Sequence, residues 1–262
     1  MIRALYTAAS GMSAQQANLD TIANNLANSA TAGFRSRRVQ FEDMIYQNMI
    51  TPGSPATQST VSAGLQIGLG TRTSATEIIQ AQGDFNQTQN PLDLAIQGGG
   101  FFQIQQPDGT IAYTRNGSFH LNNQGTIITT EGMSLIPSIT IPSNATNVTI
   151  SPYGVVSATL PGQTAAAQLG TLQLANFANP GGLNSAGNSL FTQTTSSGNP
   201  VTDTPGGTSG VGTLEQGYLE NSNVDVVTEF VQMILAQRAY ESNSKVVHVA
   251  DDMYQQINGM IR

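Results

Sequence analysis

The 262-residue chain contains no cysteine and no tryptophan. Without thiols it forms neither disulfides nor thiolate metal sites. Charge is scarce as well: 10% of residues are charged, against ~25% in ordinary soluble domains. Nine Lys+Arg stand against 16 Asp+Glu, a net charge of -7 with no acidic or basic block. Nucleic-acid binding needs a cationic stripe, so the chain is expected to have no nucleic-acid partner. No apolar run approaches the ~20 residues that cross a bilayer. The start, Met1-Ile2-Arg3-Ala4-Leu5-Tyr6, has one Arg but neither the apolar core nor the small-residue cleavage site of a secretory signal. An exported chain of this kind must use a route that cleaves no such peptide.

What is abundant is uncharged polarity, from Gln, Asn, Ser, Thr and 27 Gly, a composition that suits β domains and uncharged protein–protein contacts. The sharper signal lies at the two ends. Leu5, Met12, Leu19 and Leu26 recur every seventh residue, and so do Val226, Met233, Tyr240, Val247, Tyr254 and Ile261. Such spacing keeps side chains on one helix face and makes a seam for another helix. A seam at each terminus predicts that the two ends pair.

The first helix is predicted from Ile2 to about Ala27, roughly 39 Å at ~1.5 Å per residue. Its only charges are Arg3 and Asp20, so it is expected to be covered on several sides. Asn28 suits a helix end because Asn tolerates the left-handed conformation, and Gly33 prevents resumption. The second helix is predicted to start at a Ser222 or Asn223 cap, with Asp225 in its first turn, and to run to about Ile261. Phe41–Met49 reads as a short helix. Thr51–Thr60, with two prolines and few apolar residues, reads on composition alone as a flexible linker.

From about Leu65 to Leu219 the signals are β. Strands are expected at Thr71–Ile79, Leu92–Gln97, Phe101–Gln105, Ile111–Thr114, Thr126–Thr130, Ser138–Ile141, Asn147–Ile150, Val155–Thr159 and Gly170–Ala175. Turn formers separate them, among them Pro107-Asp108-Gly109, Asn116-Gly117 and Pro152-Tyr153-Gly154. The fold class is α+β: long terminal helices paired as a coiled coil plus one mostly antiparallel β domain. The divisions expected are 1–32 and 220–262 for the helical part, 33–70 for a connecting segment and 71–219 for the β domain.

The isolated helix pair buries too little apolar surface to offset the ordering of so many residues. It is therefore expected to gain order when neighbours cover Ile2, Ile22, Val246, Met253 and Met260. Head-to-tail contacts of that kind build rings or open helical filaments. The plainer alternative is an intramolecular helical hairpin capping a β domain.

Candidate chemistry is thin. His120 and His248 have no metal-ligand pattern around them and read as structural. Ser242-Asn243-Ser244-Lys245 matches a serine-acylase spacing, but the companion S-D-N and K-T-G elements are missing. Gln97-Gly98-Gly99-Gly100-Phe101 lacks the Gly-Lys-Ser/Thr ending of a phosphate loop and leads into another strand. No catalytic, cofactor or metal residue is assigned.

Several motifs occur in an order that identifies them together. Ala8-Ala9-Ser10-Gly11-Met12 is followed by Ile22-Ala23-Asn24-Asn25-Leu26-Ala27-Asn28 and Thr31-Ala32-Gly33-Phe34-Arg35. Leu94–Phe102 and Tyr113-Thr114-Arg115-Asn116-Gly117-Ser118-Phe119 come next. Gly217–Asp225 and Gln237-Arg238-Ala239-Tyr240-Glu241 close the series. Together they resemble the bacterial flagellar rod and hook proteins over essentially the whole chain. Asn24, Asn25, Asn28, Thr31, Gly33 and Phe34 carry the N-terminal signature; Ser29-Ala30 departs from the apolar residue usual after Asn28. In length, in lacking a second inserted β domain, and in the stretch from Phe41-Glu42-Asp43 to Gly68, the chain is similar to the distal rod members. A proximal rod or hook-type paralog is the alternative within the family; a secreted wall-binding or hydrolase module is the alternative outside it.

The resemblance implies a structural subunit without enzymatic activity or cofactor, exported unfolded by the flagellar type III apparatus. It implies polymerisation beneath a rod cap protein into a hollow shaft from periplasm to outer membrane, with the terminal helices lining the inner tube. The partners implied are further copies of the chain, the proximal rod protein, the hook protein, and the peptidoglycan-layer and outer-membrane ring proteins. It also replaces the linker reading of Thr51–Thr60 with a segment packed between subunits and ordered in the assembly.

Overall fold

The computed structural model describes residues 2–50, 55–56, 59–60, 64–162 and 166–260. The chain forms two compact units. One, the helical unit, comprises Met1–Ala27, Arg37–Ile78 and Asp225–Arg262; the other, the β unit, comprises Asn28–Ser36 and Ile79–Val224.

In the helical unit, α1 spans Ile2–Ala27 and α2 spans Val226–Met260. The cap of α2 differs from the expected Ser222 or Asn223. Asp225 takes that place: its carboxylate accepts from the Val227 amide at 3.1 Å and from the Thr228 hydroxyl, and its carbonyl accepts from the Glu229 amide at 3.0 Å. The Asn223 side chain is unavailable for capping because it is bonded inside the β unit.

Phe41–Met49 is not helical. Strand Arg37–Asp43 pairs with Thr71–Ile78, strand Tyr46–Ile50 with Leu65–Gly68, and Pro55–Ala56 with Ser59–Thr60, all antiparallel, giving a long two-stranded ribbon. The apolar residues at 41, 44, 45 and 49 mimic a helical period. What decides the outcome is pairing with residues some 15–40 positions later, which a local pattern cannot display. Of the Thr51–Thr60 stretch, only 55–56 and 59–60 lie within the described residues.

The β unit is built from antiparallel pairings throughout. Its largest sheet runs in the order 119–121, 127–129, 134–136, 101–105, 111–114, 190–192, 184–187. Strand Leu174–Asn176 shares the same edge of Phe101–Gln105 as Ser134–Ile136, meeting Phe101 and Phe102 while the other meets residues 103–105. A second sheet joins 147–150, 155–159 and 167–171. Leu94–Gln97 pairs with Thr213–Gln216, and Phe85–Gln87 with Tyr218–Glu220. Alternating side chains from these sheets form one core around Phe102, Ile104, Phe119, Leu135, Leu174 and Leu214. Phe102 and Phe119 meet edge to face at 5.1 Å.

The expected strand at Ser138–Ile141 is reduced to a single bridge, Thr126 to Thr140, and the true strand is Ser134–Ile136. The reason is again non-local: Ser134–Ile136 occupies the free edge of 101–105. Glycines 98 and 100, both at positive φ, turn the chain from strand 94–97 into strand 101–105, the bend between strands expected in place of a phosphate loop.

Candidate assembly surface

The two helices of the helical unit pack side by side. Asn25 on α1 bonds to Glu229 on α2, and a Cβ at Gly11 would lie 2.8 Å from the Asn243 side chain. Residue numbers rise along one helix as they fall along the other, so the pair is antiparallel. The absence of a side chain at Gly11 brings the backbones close there.

The sequence-marked seam residues are buried to different depths. Leu5, Met12, Leu19 and Leu26 are half-buried, as are Met233, Val247 and Tyr254. Val226 and Tyr240 remain more than a third exposed. Ile261 and the side chain of Ile2 lie outside what the structure describes. Ile22 departs from expectation. Assigned beforehand to a face awaiting a neighbour, it is 2% exposed within the single chain.

Sequence reading also missed the second heptad line. On α2 the deepest positions are Ala236 and Ala250, with Asn243 between them. On α1 they are Ala8, Ala14, Ile22 and Asn25. Where the helices meet, Gly11 leaves room for the Asn243 side chain. A search for large apolar residues alone overlooks alanine, which explains the omission.

α1 is covered on a second side by ribbon strands 37–43 and 71–78. Asn25 joins the three elements. Its amide oxygen accepts from the Arg37 amide at 2.9 Å; its amide nitrogen donates to the Arg37 carbonyl at 2.8 Å and to Glu229 Oε1 at 3.0 Å. The Ser10 hydroxyl accepts from the Thr71 amide at 3.3 Å. The low charge of α1 thus corresponds to cover from two directions.

Among the described residues, the opposite face of α2 has no such cover. Val227, Val231 and Ile234, spaced i, i+4, i+7, are 71%, 53% and 56% exposed, and Phe230, Leu235, Val249 and Met253 lie open beside that line. The ribbon is similar: Met44, Ile45, Tyr46, Met49, Ile50 and Leu65 are exposed, Ile45 by 83%. Contiguous apolar surface on this scale marks a contact with another molecule. A two-stranded ribbon is also marginal in water by itself.

Titration probes the helix pair. Burial raises the Glu229 carboxyl above its ordinary 4.5; the Asn25 bond opposes this and nearby Asp225 adds to it. Its Oε2 is buried without a hydrogen-bond partner. An acid raised in the folded state costs stability while ionised, and that cost fades as pH falls through the raised value. Asp225 is shifted down, first by the Thr228 hydroxyl and then by the Val227 amide; Glu42 and Glu77 are shifted down chiefly by bonds from Ser74 and Arg38. Their contributions are present above their ordinary values of 3.8 and 4.5 and are lost as pH drops through the lowered ones. Helical-unit stability should therefore rise from pH 7 toward about 4.5 and fall below it. Melting followed by circular dichroism at 222 nm checks this, and Glu229→Gln should flatten the rise. An unchanged slope in that variant would contradict the assignment.

Of the remaining signature residues, Asn28, Thr31, Gly33 and Phe34 lie in the β unit. The Thr31 amide donates to the Asn28 carbonyl at 3.1 Å, closing a turn. Gly33 has φ 67°, and a Cβ there would lie 2.6 Å from the Asn116 nitrogen, so only glycine fits. Its amide donates to the Glu220 carbonyl at 2.8 Å, and the Phe34 carbonyl accepts from the Asn223 amide at 3.4 Å. Asn24 lies on the exposed surface of α1.

Beside this segment is a buried ionic cluster to which sequence reading gave no role. Glu220 Oε1 lies 2.7 Å from Arg35 Nη2 and Oε2 lies 3.3 Å from Arg115 Nη1, with all three side chains at most 6% exposed. Arg115 Nη2 donates to the Gly98 carbonyl at 2.7 Å, and its guanidinium lies 5.3 Å from the centre of the Phe101 ring. Burial pulls Arg115 down to about 10; Glu220 opposes the shift and Arg35 adds to it. It stays protonated at neutral pH. The available signal was the oddity of single charges set in apolar surroundings, Tyr113-Thr114-Arg115 and Tyr218-Leu219-Glu220.

Three family models match in order along the chain: the Flagella basal body rod protein model at residues 5–35, the Flagellar hook protein FlgE/F/G D1 domain at 95–158, and the Flagellar basal body rod FlgEFG protein C-terminal at 215–260. The Flagellar basal-body rod protein FlgG of Buchnera aphidicola subsp. Acyrthosiphon pisum (strain APS) is 47% identical over 259 residues, 98% of this chain and 99% of that protein. The FlgG of Borreliella burgdorferi is 45% identical over 265 residues, covering all of both. The chain belongs to the flagellar basal-body rod protein FlgG family. A FlgF protein of Mesorhizobium japonicum is similar at a lower 33% over 243 residues, 93% of this chain and 91% of its own. As a FlgG-family member the chain is a structural component of the flagellar basal body and serves motility. The matched N- and C-terminal models fall on α1 with the Gly33 segment and on α2, where the uncovered apolar surface lies.

Proposed function

We propose that this FlgG-family chain polymerises into the hollow distal rod, carrying torque from motor to hook and leaving a central channel for exported subunits. One observation carries the reading: a single chain leaves the outer line of α2 and much of its ribbon apolar and uncovered. Further copies are the natural cover, because a helix pair presenting different faces to two neighbours gives a head-to-tail contact that extends without closing. In this reading the helices pair as a coiled coil through Leu5, Met12, Leu19, Leu26, Met233, Tyr240, Val247 and Tyr254, and line the inner tube. The described ribbon strands pack between subunits.

The rod would run from periplasm toward the outer membrane, made from subunits exported without a cleaved signal peptide. It would meet the proximal rod protein below, the hook protein above, a rod cap protein during growth, and the peptidoglycan-layer and outer-membrane rings around it. No enzymatic role is proposed.

The ribbon tests the reading without touching the core. The double substitution Ile45→Lys, Met49→Lys places two charges on exposed positions, so the monomer should melt within about 0.5 kcal/mol of the native protein. Assembly should nonetheless be lost, seen as missing rods in electron micrographs of basal bodies. Normal rods built from this variant would overturn the proposal.

A further inference from the structure

The chain passes between its two units four times, after residues 27, 36, 78 and 224. On the β-unit side, the segments that carry these passages converge on one place. The Asn223 side chain accepts from the Ser36 amide at 2.7 Å and donates to the Ile79 carbonyl at 3.0 Å and the Ala81 carbonyl at 2.9 Å. The Ile79 amide donates to the Ser36 carbonyl at 2.8 Å. Arg35 Nη1 donates to the Ala81 carbonyl at 2.6 Å, and Glu220 Oε1 accepts from the Gly83 amide at 3.1 Å. The Gly33 amide reaches the Glu220 carbonyl and the Asn223 amide reaches the Phe34 carbonyl. Three stretches far apart in sequence, 33–36, 79–83 and 220–223, are thus cross-bonded by one amide side chain and one buried carboxylate.

We propose that Asn223, with Arg35 and Glu220, is a mechanical joint: it makes the four passages a single rigid mount on the β unit instead of four independent tethers. The physical reason is cooperativity. Each bond restrains a short segment already restrained by the others, so none opens without loosening the rest. Asn fits the centre because its side chain both accepts and donates, which neither Asp nor Ala does. The mechanical consequence rests on the rod reading above, in which load is carried along the chain between helices and β unit. The structural claim stands apart from it.

Native-state hydrogen exchange on the purified full-length protein tests that structural claim. The amides of Gly33, Ser36, Ile79 and Gly83 should open together with one shared denaturant dependence. In Asn223→Ala, exchange should quicken about tenfold at all four, including Gly33, Ile79 and Gly83, whose own acceptors remain. The Ile104 and Ala112 amides of the central sheet should not change. Should Asn223→Ala fail to fold, Asn223→Asp keeps the acceptor for Ser36 and loses both donations; Ile79 and Gly83 should then quicken more than Ser36. Four unrelated openings in the native protein, or a change confined to Ser36 in the Ala variant, would overturn the joint. In cells, Asn223→Ala should build rods yet turn at least about twofold slower under viscous load, because a tenfold-looser mount yields before it transmits. Native speed with a loosened exchange pattern would reject the mechanical role and leave the joint itself standing.

Discussion

Ile22→Asp is expected to abolish rod assembly while leaving the β unit folded. Ile22 is 2% exposed in the helical unit. The change removes a fully buried aliphatic side chain and puts a carboxylate in its place, on the order of 4 kcal/mol or more against the helix pair. The pair carries the apolar line that further copies would cover, so losing it removes the assembly surface altogether. Leu19→Asp and Met233→Asp, at half-buried positions, should have the same sense and a smaller effect on the monomer. Circular dichroism would show loss of helix with the β signal retained, and basal bodies would lack the rod. Rods of normal length from Ile22→Asp would remove the helix pair from the assembly.

The second large effect is expected at Glu220. Glu220→Ala leaves Arg35 and Arg115 buried with no carboxylate between them. Breaking a buried ion cluster on one side costs about 3–5 kcal/mol, because the surviving charge cannot be rehydrated. The loss should fall on the β unit and appear as a lower urea midpoint for its transition. An apolar replacement of all three residues, with Leu at 220 and Met at 35 and 115, should recover only part of it, because the Ala81 and Gly98 carbonyls and the Gly83 amide each lose a hydrogen bond. If Glu220→Ala shifts stability by less than about 1 kcal/mol, the cluster is not holding the unit together.

The elements that could be read from the chain were those with local causes. α1 ended at Ala27 as expected, although Asn28 does not take the left-handed conformation and the positive φ falls at Gly33 instead. Strands 101–105, 111–114, 147–150 and 155–159 were legible because tight turns bracket them. Of the ribbon, strand Thr71–Ile78 was legible, but its partner strand and the strand at Tyr46–Ile50 were not. The ribbon's strands are joined by pairings such as Arg37 with Ile78, and only the distant partner tells Phe41–Met49 to extend. The cap of α2 went to Asp225 because the better-looking Asn223 is committed to Ser36, Ile79 and Ala81. The seven-residue apolar period was visible, and its described residues are half-buried or more than a third exposed on the helices. The alanine line was not visible, because small residues carry little weight in such a search.

The antiparallel pairing of α1 with α2 has a consequence for delivery. The halves of this bundle are written at opposite extremities of the chain, 26 and 35 residues long. Whichever extremity emerges first from a narrow conduit must wait, unmatched, for the other to follow. In the proposed rod, a broken or stalled molecule would never complete the surface by which it joins its neighbours, so incomplete copies would exclude themselves.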